Sequence, residues 1–387
     1  MHSDAGRGAD EVVVVGGGVV GLACAWRIAQ TGRRVLVLER DEPGAGASGV
    51  AAGMLAAVAE ADFGEGALLR LRLEAADAWP AFAAELTART GIELEYGRCG
   101  ALVLAVDSDD VEELRRVQEL RHGLGLGSEW LTGRDCRRLE PALAPRVRAG
   151  MLTRDDGQVD PRAVVRALRE AIRREGGELR AGVAVEGIDE TGNRVRGVRL
   201  AGGEVLPTRA VVVAAGAWSA SLDVCDPPPV RPVKGQVLRL RGGVAGPLAQ
   251  RIVWTPRCYV VSRPSGEVVV GATVEERGFD TTVTAGAVRQ LLEDAREVLP
   301  DVEERELVEA RAGLRPGTPG NAPVVGPGGS DGLFWATGHY RNGILLAPIT
   351  ADAIAALIHG AGPPPPFRDF AASRTRSEGA SLAGSTA

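Results

Sequence analysis

The sequence predicts an α/β fold of two units, one wound around parallel strands and the other an α+β unit on an antiparallel sheet. Three observations predict it. Four consecutive valines, Val12 to Val15, run into Gly16-Gly17-Gly18-Val19-Val20-Gly21 and then into a helical stretch. A second short apolar run, Val35 to Leu38, follows at the spacing of a strand–helix–strand unit. Between Val230 and Ala312 the texture changes to short strand-like runs separated by tight turns.

The valine run suits a buried parallel strand, which reads as continuous rather than alternating apolar residues. Each glycine after it has a task. Gly16 permits the tight turn, Gly18 lets a pyrophosphate approach the backbone, and Gly21 lets the helix pack close to the strand. The helix N-terminus then offers N–H groups and a partial positive charge to phosphates. Glu39 ends the second strand, where a carboxylate accepts hydrogen bonds from ribose hydroxyls. With 52 glycines in the chain the pattern alone is weak. The strand, turn, helix and acidic residue together indicate a Rossmann-like unit for an adenine dinucleotide.

The 387 residues allow two cores of useful size, and the apolar fraction of 45% is that of a globular protein. A net charge of −6 argues against a nucleic-acid partner. No apolar run reaches transmembrane length, and the polar Met1 to Asp10 stretch lacks a signal-peptide core, so a cytoplasmic protein with no membrane partner is expected. The cysteines Cys24, Cys99, Cys136, Cys225 and Cys258 are scattered, without Cys-x-x-Cys, and read as free thiols. Four histidines make a histidine-rich metal site improbable, and no metal is expected. Lys234 is the chain's only lysine.

In chain order, the small residues of 43–55 read as backbone lying against a flat ligand, since a solvent linker favours serine, glycine and charge over alanine. Helical spacing covers 67–90, with a break or kink at Pro80. Stretch 100–106 is strand-like and 109–122 a charged surface helix. Asp160 and Pro161 are placed as N-cap and first helical residue. Short strands are expected at 178–180, 183–188, 195–200 and 210–214, the last entering another small-residue turn. In the second unit 237–240, 259–262 and 268–271 read as strands, with a hairpin turn at 264–266 and a helix at 285–298. Stretch 312–319 places Arg315 in a rigid Pro/Gly turn. A strand at 333–336 leads into the turn 338–348 and a helix at 349–358. The C-terminal tail, 363–387, turns polar and small after its four prolines, and its last part is expected to be disordered. The domain assignment is discontinuous: 1–85, 148–222 and 308–362 bind the cofactor, while 86–147 and 223–307 form the substrate domain.

Cofactor-like stretches thus lie at 12–54, 183–216 and 339–348, separated by a sheet. A nicotinamide enzyme usually completes its site within one contiguous unit, so three remote segments favour the larger FAD. Only one Gly-x-Gly-x-x-Gly, that of Gly16 to Gly21, joins a strand-like run to a helical stretch, which disfavours a second site for NADPH.

Five segments carry a family resemblance: the glycine motif, Ala51-Ala52-Gly53-Met54-Leu55, Pro232-Val233-Lys234-Gly235, Ala312 to Thr318, and Gly338-His339-Tyr340-Arg341-Asn342-Gly343-Ile344-Leu345-Leu346-Ala347-Pro348. Together they resemble the glycine oxidase family, within the D-amino-acid oxidase and sarcosine oxidase superfamily of FAD-dependent amine oxidases. The resemblance extends to about residue 370 and is most specific in the second and fifth segments. It implies a glutathione-reductase-like FAD domain, and since none of the five cysteines sits in a context that compels linkage, non-covalent FAD is expected. The cofactor would contact Gly16, Gly18, Val19, Val20 and Gly21 at the turn, Glu39 and Arg40 at the ribose, and the Val183 backbone at the adenine. Ala47, Ser48, Ala52, Gly53 and Met54 would lie along the flavin, and His339, Tyr340, Arg341, Asn342, Gly343, Ile344 and Leu345 at its far edge. Arg315 would hold the substrate carboxylate, with Arg341 and Tyr259 nearby. The family pattern has a histidine and a methionine near the substrate where this chain has Arg257 and Val274. Implied too are O2 as acceptor, peroxide release, a homo-oligomer (commonly a tetramer), and supply of iminoglycine for the thiazole of thiamine.

Such chemistry moves a hydride from the substrate carbon to flavin N5, so the protein supplies position and electrostatics. No side-chain base is required, and none is assigned as catalytic. A guanidinium fork matches the two oxygens of a carboxylate, which suits Arg315. Plainer readings exist beside each role. Arg315 is also compatible with a surface loop, Arg341 with an ion pair elsewhere, Tyr259 with sheet packing, Met54 with core filling, and His339 with a satisfied turn. Sarcosine or D-amino-acid oxidation, or a dehydrogenase with another acceptor, remains open, as do a nicotinamide enzyme and a non-catalytic nucleotide-binding protein.

Overall fold

The computed structural model describes residues 11–243, 246–362 and 365–370. The polar N-terminal stretch and the part of the tail beyond 370 lie outside the described residues. Val12–Val15 is the centre of a six-stranded sheet, pairing in parallel with Val35–Leu38 on one side and Ala210–Val213 on the other. Glu178–Arg180 extends the sheet beyond the second strand, and Leu333–Thr337 with the antiparallel Val324–Pro327 completes the opposite edge. The valines alternate between two cores. Val12 and Val14 join the helices Val19–Gln30, Gly66–Thr90, Pro161–Arg174 and Gly343–Ile358. Val13 and Val15 face a three-stranded sheet built from Val185–Glu190, Val195–Leu200 and Val205–Pro207. Burial on both faces is why this strand carries no polar residue.

The second sheet has eight strands, ordered Glu306–Gly317, Arg231–Arg241, Val268–Gly271, Tyr259–Ser262, Ile252–Trp254, Ala101–Ala105, Ala149–Thr153 and Glu129–Thr132. Neighbours run antiparallel except for the parallel pair of Ile252–Trp254 with Ala101–Ala105. The helix Ala285–Val298 covers it, burying Leu291, Ala295 and Val298 in a separate apolar cluster. Ala149–Thr153 and Glu306–Gly317 belong to this sheet, so it draws chain from beyond the expected divisions at 147/148 and 307/308. Among the described residues, no helix is long and apolar enough to cross a membrane.

Several local expectations match closely. Asp160 caps Pro161–Arg174 by accepting from the Arg162 N–H at 2.9 Å, and 178–180, 195–200, 259–262, 268–271 and 285–298 have the expected bounds. Others are corrected. Pro80 does not end its helix, which runs unbroken over Gly66–Thr90. Trp79, Phe82 and Leu86 are buried there and the Trp79 indole donates to the Leu345 carbonyl at 2.9 Å, so packing outweighs the missing backbone donor. The last helix begins at Gly343 rather than 349 and contains Pro348, with Ile344 to Ala351 buried. Arg315 lies in a strand, not a turn. The long ladder with Arg231–Arg241 places Arg315 opposite Val233 and Pro316 opposite Pro232. Two prolines facing each other lack donors at the same rung, and the ladder continues past them. The strand at 237–240 is correspondingly longer, and that at 183–188 is shifted to Val185–Glu190.

Candidate active site

A cavity of about 610 Å³ opens at the C-terminal ends of the parallel strands and continues beneath the eight-stranded sheet. Ligands of open α/β sheets bind at such strand ends. At the nucleotide end Gly16 has φ 113°, and a Cβ there would collide with the Ala214 carbonyl. Gly18 is the extended N-cap of Val19–Gln30 and has no side chain to cap it. Ser48 supplies the cap from elsewhere, its Oγ accepting from the Val19 N–H at 2.9 Å. A Cβ on Gly18 would have only Ser48 Oγ near it, at 3.3 Å. Glu39 Oε2 accepts from the Gly17 N–H at 2.6 Å and Oε1 from the Asp41 N–H at 2.9 Å, which fixes the carboxylate beside the turn. Arg40 lies over the Trp218 ring, 3.8 Å from its centroid.

The cavity wall includes Gly16, Gly18, Val19, Val20, Glu39, Arg40, Ala47, Ser48, Ala52, Gly53, Met54 and Val183, and at the other end Tyr259, Arg315, His339, Tyr340, Arg341, Gly343 and Ile344. Three expected contacts are not part of it. Gly21 packs against the Gly16 carbonyl, where a Cβ would clash. Asn342 is the buried N-cap of the last helix, its carbonyl accepting from Leu346 N–H at 2.8 Å. Leu345 is buried in the helical core.

At the far end, Arg315 Nη1 donates to the carbonyls of Lys234 at 3.3 Å and Thr273 at 3.1 Å. Among the described residues no carboxylate lies within ion-pair distance of Arg315 or Arg341. Burial pushes the Arg315 guanidinium below its ordinary value, and Tyr259 beside it pulls the other way. The Tyr259 hydroxyl is pushed up by burial, with Arg315 opposing. Two glycines make room for this pair. A Cβ on Gly235 would collide with the Arg315 guanidinium, and one on Gly271 with the Tyr259 hydroxyl. Tyr340 N–H donates to the Pro316 carbonyl at 3.0 Å, tying the Arg315 strand to the Arg341 turn. Arg341 itself is exposed and sits over the Tyr340 ring at 5.1 Å.

His339 is 3% exposed, with Nε2 3.0 Å from Thr350 Oγ1, and burial pulls its pKa down to about 3. The ring is therefore neutral at working pH. Lys234 is 1% exposed, with Nζ 2.5 Å from Asp280 and 3.9 Å from Glu275. It anchors the stretch that carries Val274, which lines the cavity. Arg257 also reaches the cavity wall but is held by Glu297 at 2.7 Å and Asp110 at 3.9 Å. Glu60, Trp218, Gly235 and Gly271 are lining residues that sequence reasoning did not single out.

The residues fit FAD on structural grounds. Gly16 and Gly21 leave no room for a Cβ, Gly18 leaves the cavity side of the turn open, a helix N-terminus points at it, and a run of small residues follows. The three sequence segments expected to hold the cofactor all reach this one cavity.

The model of the family described as FAD dependent oxidoreductase matches residues 11–357. Glycine oxidase of Geobacillus kaustophilus is 37% identical over 355 residues, covering 90% of this chain and 92% of that protein. The bifunctional protein ThiO/ThiG of a Nostoc species is 35% identical, over 96% of this chain and 56% of that protein. The crystal structure of glycine oxidase from Geobacillus kaustophilus superposes with a TM-score of 0.87 at 34% identity, covering 95% of this chain and 99% of that one. With the family match running through both sheets and the cavity between them, the chain belongs to the FAD dependent oxidoreductase family.

Proposed function

We propose that this protein is an FAD-dependent oxidase of glycine or a similarly small primary or secondary amine, reducing O2 to hydrogen peroxide and releasing an imine or its 2-oxo acid with ammonia. The observation that carries the reading is Arg315, a cavity-facing guanidinium without a carboxylate partner among the described residues, in a cavity that continues to the glycine turn. Similarity to glycine oxidase and to ThiO/ThiG supports glycine as substrate and delivery of iminoglycine for the thiazole of thiamine. The six-stranded unit is read as the FAD domain and the eight-stranded unit as the substrate domain.

When bound, FAD supplies the hydride acceptor. The chain's residues supply placement. Arg315 grips the substrate carboxylate in a fork held at one nitrogen by two backbone carbonyls, which fixes its angle. Tyr259 donates a further hydrogen bond from its hydroxyl, and Arg341 adds positive charge at the opening. Neutral His339 braces the turn through Thr350 and brings no charge against the ring. No residue is assigned as a general base, and orientation is the main lever. Non-covalent attachment of FAD is supported by Cys258, the cavity-wall cysteine, whose thiol burial pushes up to about 11 and so leaves unreactive. Five free thiols suit a reducing cytoplasm. We also propose a homo-oligomer, a tetramer by family resemblance.

The test is peroxide release with glycine, sarcosine and D-alanine side by side, with anaerobic bleaching of the flavin absorbance. Glycine is expected to bleach the flavin and release peroxide. Bleaching without peroxide would identify a dehydrogenase using another acceptor, and preference for D-alanine or sarcosine would move the substrate. A flavin that no amine bleaches would overturn the reading.

A further inference from the structure

The guanidiniums are not the only charges at the substrate end. Four acidic residues line the cavity among those described, and Glu39, Asp41 and Glu186 cluster around the nucleotide end. Glu60 alone stands with Arg315, Arg341 and Tyr259, and its charge is felt by all three. Its segment is clamped from several directions. Asp156 accepts from the Val58 and Ala59 N–H groups at 3.0 and 2.8 Å. Arg121, 2% exposed, donates to the Ala59 carbonyl at 2.6 Å, and Arg72 donates to the Glu60 carbonyl at 2.5 Å. Such anchoring fixes the backbone from which the Glu60 side chain projects.

The surrounding charges do not cancel it. Arg72 Nη1 is 3.9 Å from Glu60 Oε2, but the same guanidinium is engaged by Glu65, so one cation serves two carboxylates. Arg257, the third guanidinium at the substrate end of the cavity wall, is already paired with Glu297 and Asp110. Burial, reinforced by the carboxylates of Asp156 and Glu65, holds the Glu60 carboxyl above its ordinary value, against Arg72 and Arg341, which favour the charged form. The substrate end thus presents a cationic seat for one carboxylate and, beside it, a carboxyl group that shares its nearest cation with Glu65.

We infer that Glu60 is a specificity-determining residue, whose carboxylate admits amines carrying a single carboxylate and turns away those carrying a second. Like-charge juxtaposition in a site shielded from water is a means of rejection that costs the correct ligand little. A zwitterionic glycine brings its ammonium toward that negative field while its carboxylate goes to Arg315. An iminodicarboxylate brings a second anion toward Glu60, and the one guanidinium left to receive it, Arg341, is exposed to solvent at the cavity wall.

This inference rests on the proposed reaction, and the experiment separates the two. Holoenzyme and its Glu60→Gln and Glu60→Asp variants are assayed with glycine and iminodiacetate. Dissociation constants for acetate and malonate are read from the flavin spectrum without turnover. Wild-type kcat/KM is expected to favour glycine over iminodiacetate by a hundredfold or more. Glu60→Gln narrows that ratio at least tenfold and tightens malonate relative to acetate, while Glu60→Asp keeps the wild-type preference. Wild type that neither binds nor oxidises glycine defeats the proposed function. Wild type that oxidises glycine but binds malonate as tightly as acetate defeats the inference alone, even should Glu60→Gln fail to fold. So does a folded Glu60→Gln with an unchanged substrate ratio.

Discussion

Arg315 and Gly235 work as one device. The arginine brings the charge and the glycine, on the neighbouring strand, brings the hollow in which the guanidinium rests. Arg315→Ala is expected to keep FAD bound and to weaken carboxylate ligands by a hundredfold or more, since removing one side of a buried charge pair costs about 3–5 kcal/mol. Gly235→Ala should produce a milder version, raising the apparent KM for glycine more than it lowers kcat, because its Cβ displaces the fork without deleting it. Ligand titrations followed by flavin absorbance check both, and unchanged acetate affinity in Arg315→Ala would place the anchor elsewhere. Arg315 and Tyr259 were legible in the sequence because their chemistry is intrinsic to their side chains. Gly235, Gly271 and Glu60 were not, since an absent side chain or one carboxylate among many acquires meaning only from what folding sets beside it.

Among the elements, those that matched carry their instructions locally. The Asp160–Pro161 start of a helix and the apolar spacing of Ala285–Val298 are written within a turn or two of sequence. The long ladder between Arg231–Arg241 and Glu306–Gly317 is set by partners far apart in the chain, so its prolines and glycines read as a turn. The same holds for Ile252–Trp254 and Ala149–Thr153, short strands that exist because neighbours pair with them. The turn into the last helix carries a pH signature. Burial takes the His339 pKa from 6.5 to about 3, so between those values the unfolded chain binds a proton that the native one does not. Its contribution to stability is therefore complete above pH 6.5 and falls away as pH drops towards 3. Melting temperature followed from pH 8 to 4 should decline less steeply in His339→Gln than in wild type. Parallel curves would mean that the ring does not titrate as its surroundings dictate.

At the scale of the whole molecule, the parallel sheet was legible from one motif, and the second sheet was recognised by texture while its strand order was not. The cavity needs both, because the glycine turn comes from the first sheet while Arg315 and Tyr259 come from the second. The chain's single lysine lies in that second sheet, 1% exposed and clasped by Asp280. Acylating reagents that tag primary amines should consequently leave position 234 untouched in the native protein. They should mark it once the sheet parts, so that mass spectrometry of that peptide counts opening events one covalent tag at a time.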